Sequence, residues 1–297
     1  MRRSRRNLGA HWQYLIFRWI VRCRALPLAR ALMAIVVVYY TLLPHVRRRC
    51  SHYLRRRFGE AGGWRGFVRA CRLHLNFGQV LLDKMVVEIT GRFPVFSPLP
   101  AVWAELVEAA KNPDGCIVLT AHTGAWQVGL AGLEELKRPV HIAQPHDPDD
   151  PDTLSFERGT GATRHIINVA EPIVALVEIA AVLRRGNFVC MMGDRLARDT
   201  EKSVTVPFLG GNIALPVGAY ALASVTRAEI VMLFSVHEKG RIRVVGAERF
   251  KVPPRLPRND PSVFLPFATR FVRLMEEFVQ SYPYQFFNFY NMWVDEA

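Results

Sequence analysis

The spacing of polar and apolar positions changes several times along these 297 residues. It begins helically: Trp12, Leu15, Ile16, Trp19, Cys23 and Leu26 share one face, and Arg18 and Arg22 lie on the other, the pattern of a helix lying in a membrane interface. From Ala31 to Leu43 an apolar run has no charge in it. Ser51 to Phe77 returns to arginines and apolar residues at helical spacing, broken into two helices by Gly59 and Gly62-Gly63. Leu73 to Thr90 continues as a helix carrying Asp83, Lys84 and Glu88, and a further helix over Ala101 to Lys111 ends at Asn112-Pro113-Asp114-Gly115, a strong turn signal.

The period then shortens. Cys116 to Ala121 is an apolar stretch of strand length that runs into His122; Gly124 follows, and Ala125 to Leu136 has apolar residues at helical spacing, which together predict strand, tight turn, helix. Val140 to Gln144 reads as a second strand, entering a proline-rich acidic loop from Pro145 to Asp152. Ile173 to Arg185 is an amphipathic helix stopped by Gly186, and the strand Asn187 to Gly193 delivers Asp194 and Arg195 to the sheet edge that carries His122. Ile230 to Val236 and Ile242 to Val245 predict a hairpin through Glu238-Lys239-Gly240. Asp260 as cap and Pro261 at the first position open a last helix to about Gln280, and the tail from Tyr282 to Trp293 is dense in aromatics that either line a groove or pack as core.

Strands alternating with helices predict an α/β fold: a single domain with a central mixed, mostly parallel sheet flanked by helices, preceded by an N-terminal membrane-associating helical segment. We place the division at residues 1–48 for the basic amphipathic and apolar anchor and 49–297 for the α/β domain.

Charge sharpens the picture of the N-terminal quarter. Residues 1–72 hold 17 arginines, no lysine and one acid, Glu60, for a charge of +16; the whole chain carries +13, so the remainder is at −3. Such a block suits nucleic acid or an anionic membrane, and the tryptophan-arginine interleaving favours the membrane and excludes nucleic acid as a partner. The 13 residues of Ala31 to Leu43 reach only about 20 Å, short of the roughly 30 Å hydrocarbon core. The expectation is a monotopic or marginally spanning anchor on the cytoplasmic side of a membrane, with Arg2 to Arg6 and Arg47 to Arg49 meeting anionic lipid. The five cysteines are odd in number, widely spaced and without a C-x-x-C pair, as expected of reduced, mostly buried thiols.

The candidate chemistry sits where the first strand ends. Ligands of open α/β sheets bind beyond the carboxyl ends of the strands, so His122 is well placed as a general base. Its surroundings, His122-Thr123-Gly124-Ala125-Trp126-Gln127, resemble the His-x4-Glu/Asp signature of the lysophospholipid acyltransferase superfamily, and in particular its lipid A late acyltransferase branch. The same branch is matched in order by Leu183 to Gly186 with the strand to Asp194, by Val206 to Gly210, by Pro216-Val217-Gly218 opening a helix, and by Pro283-Tyr284-Gln285.

The resemblance implies transfer of a fatty acyl chain from a thioester, on acyl carrier protein or coenzyme A, to a hydroxyl of a lipid or glycolipid acceptor, by a monomer that uses no metal and no cofactor. It also implies site residues. His122 is the base, Asp194 shapes the site and is the charged group that assists His122 if Gln127 cannot, Arg158 (or Arg164 in its place) and Arg195 handle substrate, and Gly210 and Gly211 form a glycine turn near the acceptor headgroup. Gln127 stands where the family has a carboxylate. An amide holds one imidazole tautomer through its carbonyl oxygen but lacks the charge that stabilises an imidazolium, which opens a second reading: a catalytically weak or silent protein of this fold that binds lipid or a partner. The Asp-Pro-Asp repeats beside His146 have the residue types of an Asp-x-Asp metal site, but proline-spaced aspartates in a loop read as solvated. No Walker A, G-x-S-x-G, zinc spacing or dinucleotide fingerprint is present.

Overall fold

A computed structural model describes residues 11–91, 95–126, 133, 135–145, 164–197, 201–238, 240–257 and 259–294. Four helices come first: α1 His11–Arg22, α2 Leu26–Leu42, α3 Pro44–Phe58 and α4 Gly63–Thr90. Then follow β1 Val95–Phe96, α5 Pro100–Ala109, β2 Cys116–Thr120, β3 Val140–Gln144, β4 Arg164–Asn168, α6 Pro172–Arg184 and β5 Phe188–Met192. The chain ends with β6 Ser203–Phe208, β7 Gly211–Pro216, α7 Gly218–Thr226, β8 Glu229–Glu238, β9 Arg241–Lys251 and, after a 3-10 turn over Pro261–Phe264, α8 Leu265–Ser281.

Among the described residues seven strands form one sheet in the order β1-β9-β8-β2-β5-β3-β4. From β8 to β4 every pairing is parallel, and β9 runs antiparallel to β8, so the sheet is mixed and mostly parallel as the alternation of elements predicts. All five residues of β2 are buried, because helices cover both faces: α6, α7 and α8 on one, α5 on the other. A central parallel strand buried on both sides needs apolar residues at every position, which is why Cys116 to Thr120 shows no alternation.

Two features differ from the sequence reading. Arg164–Asn168 is an edge strand whose polar start hid its period, and the glycine block is an antiparallel hairpin, β6 with β7, outside the main sheet. Leu209 and Gly210 turn that hairpin with φ of +48° and +72°, the left-handed pair that matches strand twist. Asp260 caps the 3-10 turn before α8, its carboxylate accepting from Ser262 N at 2.9 Å.

The N-terminal helices pack onto α4, where Gly78 lets α2 approach; a Cβ there would lie 2.7 Å from Met33 Sδ. Leu43-Pro44 breaks the chain between α2 and α3, and α3 runs without interruption across residues 48 and 49. Among the described residues no single helix is long and apolar enough to cross a membrane; α2 and α3, bent by 88°, meet that test only as a pair. Trp12, Trp19, Ile35 and Tyr39 are exposed. Several arginines of the basic block have internal partners. Arg47 donates to the Thr41 and Leu42 carbonyls at the end of α2, and Arg57 to the Val279 and Gln280 carbonyls at the end of α8, where a cation also suits the helix dipole.

Candidate active site

His122 follows the carboxyl end of β2, and the neighbouring strand β5 delivers Asp194 beside it. The two strands pair in register from Cys116 with Phe188 to Thr120 with Met192, and the pairing extends one step further as Gly193 N donates to Thr120 O at 2.8 Å. His122 Nδ1 then lies 2.9 and 3.0 Å from the two carboxylate oxygens of Asp194. An ionised carboxylate only accepts, so Nδ1 carries the hydrogen, and in the neutral ring the lone pair is at Nε2.

Burial pushes the Asp194 carboxyl up, but the charges of His122 and Arg195 and the hydrogen bonds from His122 outweigh it and hold Asp194 well below the usual carboxylate range. Asp194 is 1% exposed, whereas the His122 side chain is 24% exposed and open to a reactant. Arg195 donates to the Phe287 carbonyl at 3.3 Å, approaches Asp194 Oδ2 at 3.5 Å and sits over the Tyr290 ring. The Trp126 ring, 5.3 Å from that of His122, forms a wall with Phe287.

The loop after His122 is held by the aromatic tail. Phe287 N donates to His122 O at 2.8 Å, Gly124 N to Gln285 O at 2.7 Å, and Thr123 forms a β-bridge with Phe286. Gly124 has φ of +46°, and a Cβ would fall 1.9 Å from Ser235 O, so only glycine lets this loop lie against β8. The N–H of Thr123 is also taken, by Ala121 O at 2.7 Å.

A polar relay backs the tail. Gln285 exchanges two hydrogen bonds with the backbone of His237 at the end of β8; His237 Nε2 lies 3.1 Å from Asp83 Oδ2, and Gln79 Nε2 donates to Asp83 Oδ1 at 2.7 Å. Phe77 packs on Phe287 and Phe289, and His74 stacks on Phe289. Helix α4 thus touches the same tail that holds the His122 loop. Sequence reasoning singled out Gln285 only through its motif and gave no role to His237 or Asp83, because nothing local marks contacts among residues so far apart in the chain.

Of the expected site residues, the fold gathers His122, Asp194 and Arg195. Gln127 and Arg158 lie outside the described residues, as do His146 and most of the predicted Ala125 to Leu136 helix. Arg164 opens β4 in register with Val140 and so starts at the end of the parallel strands opposite to His122. Gly210 and Gly211 belong to the β6–β7 turn; the Gly210 carbonyl accepts from Arg56 at 2.7 Å, and a Cβ on Gly211 would meet Trp293. Among the described residues no group of three or more His, Cys, Asp or Glu side chains could hold a metal ion.

A family model described as bacterial lipid A biosynthesis acyltransferase matches residues 2–294. A comparison with curated proteins finds no match.

Proposed function

From the premise that this chain belongs to the bacterial lipid A biosynthesis acyltransferase family, and so is an acyltransferase acting on lipid, we propose that it moves a fatty acyl chain from a thioester to a lipid hydroxyl with His122 as the general base. His122 Nε2 takes the proton of the acceptor hydroxyl as the oxygen attacks the thioester carbonyl. The tetrahedral intermediate collapses, the C–S bond breaks, and the imidazolium returns the proton to the departing thiolate. Asp194 stabilises the imidazolium between these steps, and Arg195 or an N–H beyond Gly124 meets the oxyanion.

The observation that carries this reading is the contact of His122 Nδ1 with both oxygens of a buried, ionised Asp194. It also weighs against a silent site, since the carboxylate that position 127 lacks is supplied from β5. The donor carrier is acyl carrier protein or coenzyme A and the acceptor a lipid or glycolipid. Residues 1–48 hold the monomer at the cytoplasmic face of the inner membrane, through the exposed face of α1 and α2. Arg158, Gly210 and Gly211 remain assigned to substrate.

The test is turnover of a long-chain acyl thioester by the full chain in detergent, with wild type and His122→Ala compared. Loss of a general base lowers the rate by about 10² to 10⁴. His122→Ala within a few fold of wild type, with unchanged thermal unfolding, would remove His122 from the mechanism.

A further inference from the structure

A cavity of about 350 Å³ lies between the end of α3, the first turns of α4 and the tail, lined by Phe58, Trp64, Arg65, Arg69, Arg72 and Tyr284. The three arginines stand at i, i+4 and i+7, so one face of α4 presents all of them. Among the described residues none forms an ion pair with a carboxylate. Arg69 donates to the backbone carbonyl of Glu60 at 2.9 Å and lies 4.6 Å from the Phe58 ring centroid; Arg72 lies 5.7 Å from that of Tyr284. Trp64, stacked on Phe67, is 75% exposed.

We propose that this cavity is a phosphoryl-binding subsite for one of the two substrates. Three uncompensated guanidinium groups give planar forks that match the oxygens of a phosphate, and the flanking rings hold two of those forks in place before a ligand arrives. The cavity is larger than a phosphate, and its aromatic walls suit the organic part attached to one.

Its position connects it to the reaction. Tyr284 is three residues before Phe287, whose N–H is bonded to His122 O, and three extended residues span about 10 Å at most. On this proposal, a substrate anchored here by its phosphoryl group extends its thioester or hydroxyl along the tail toward His122. Resting on the acyl-transfer reading, the phosphoryl group belongs either to the phosphopantetheine arm of the donor or to the headgroup of the acceptor, and the chemistry recognised is the same.

Equilibrium binding to the full chain in detergent separates these sources. One arm compares palmitoyl-coenzyme A with palmitoyl-pantetheine, which has no phosphoryl group; the other compares a phosphorylated glycolipid with the same lipid after phosphatase treatment. In one pair the phosphoryl member should bind about tenfold tighter or better, and that preference should shrink by about tenfold in Arg69→Gln/Arg72→Gln. Arg65→Gln, at a side chain with no hydrogen bond to a described residue, decides the matter if the double variant fails to fold. Absence of a phosphoryl preference in both pairs, or a preference that survives these substitutions, overturns the subsite. His122-dependent turnover without such a preference sinks the subsite alone, whereas the preference in a chain without turnover sinks the acyl-transfer reading alone.

Discussion

Gln285 closes a ring on the backbone of His237, its Nε2 donating to the His237 carbonyl and its Oε1 accepting the His237 N–H, each at 2.9 Å. The same residue's carbonyl accepts from Gly124, two residues after His122. One residue therefore ties the end of β8, through its side-chain amide, to the loop that carries the proposed base, through its backbone carbonyl. Gln285→Leu fills similar volume but strands a buried donor and acceptor, at a cost of about 2 to 4 kcal/mol. We expect a lower unfolding temperature together with loss of turnover; equilibrium denaturation in urea measures the first, and wild-type stability in that experiment would show that the ring carries nothing.

The Asp194 carboxyl has a depressed pKa in the folded chain, the favourable charges of His122 and Arg195 outweighing its burial. A group with that sign adds stability that is fully present above its unfolded pKa, about 3.9, and is lost as pH falls through the lower folded value. Asp194→Asn should therefore be less stable than wild type near neutral pH, with the gap closing below about pH 4. Its turnover should fall by about 10² to 10⁴ through loss of tautomer control and of imidazolium stabilisation. A gap that stays constant from pH 7 to pH 3 contradicts the assignment.

Gln127→Glu tests whether the amide in the motif is a defect. With His122 Nδ1 already engaged by Asp194, a second carboxylate adds little and brings repulsion, so the rate should change by less than about tenfold in either direction. Turnover that is undetectable in wild type and clear in Gln127→Glu would instead identify a silent site.

Gly124→Ala combines an unfavourable φ with a methyl group driven toward Ser235 O. Backbone strain of this kind costs about 1 to 3 kcal/mol before the clash is counted. The loop should shift and turnover should drop at least as far as stability does. Gly210→Ala serves as control for stability, since its φ is also positive but a Cβ there meets nothing within 4 Å.

The outward apolar residues of the first two helices should bind membrane. Replacing Trp12, Trp19 and Ile35, which are 61%, 67% and 67% exposed, by Asp removes about 1.5 to 3 kcal/mol of burial at each inserted position without touching the core. Co-sedimentation with anionic vesicles should then fall sharply while thermal unfolding in detergent is retained. Undiminished sedimentation of the triple variant would place the membrane contact elsewhere.

Local pattern determined most elements of this protein. Cys116 to Thr120 is a strand where the apolar run puts it, because a strand covered on both faces leaves no room for polar positions, and Val140 to Gln144 is one whose Val140 and Ile142 are buried on one face. Gly59 ends α3 and Asp260-Pro261 opens the turn before α8, each for a conformational reason contained in one or two residues. Strand β4 and the β6–β7 hairpin were not legible, the first being a short edge strand with a polar start and the second a pairing made outside the sheet. At the site, the sequence placed His122 and Asp194 at strand ends, with Asp194 as the charged group to assist the imidazole if Gln127 cannot, but left open whether the two touch. Tertiary structure decided that. Because β2 and β5 are parallel neighbours in register, residues just past their carboxyl ends meet, and Asp194, 72 positions along the chain, reaches Nδ1. The hold of Gln285 on Gly124 and His237, with Asp83 behind it, joins four distant segments; no periodicity within any one of them encodes it, since such contacts exist only once the sheet has set the segments side by side.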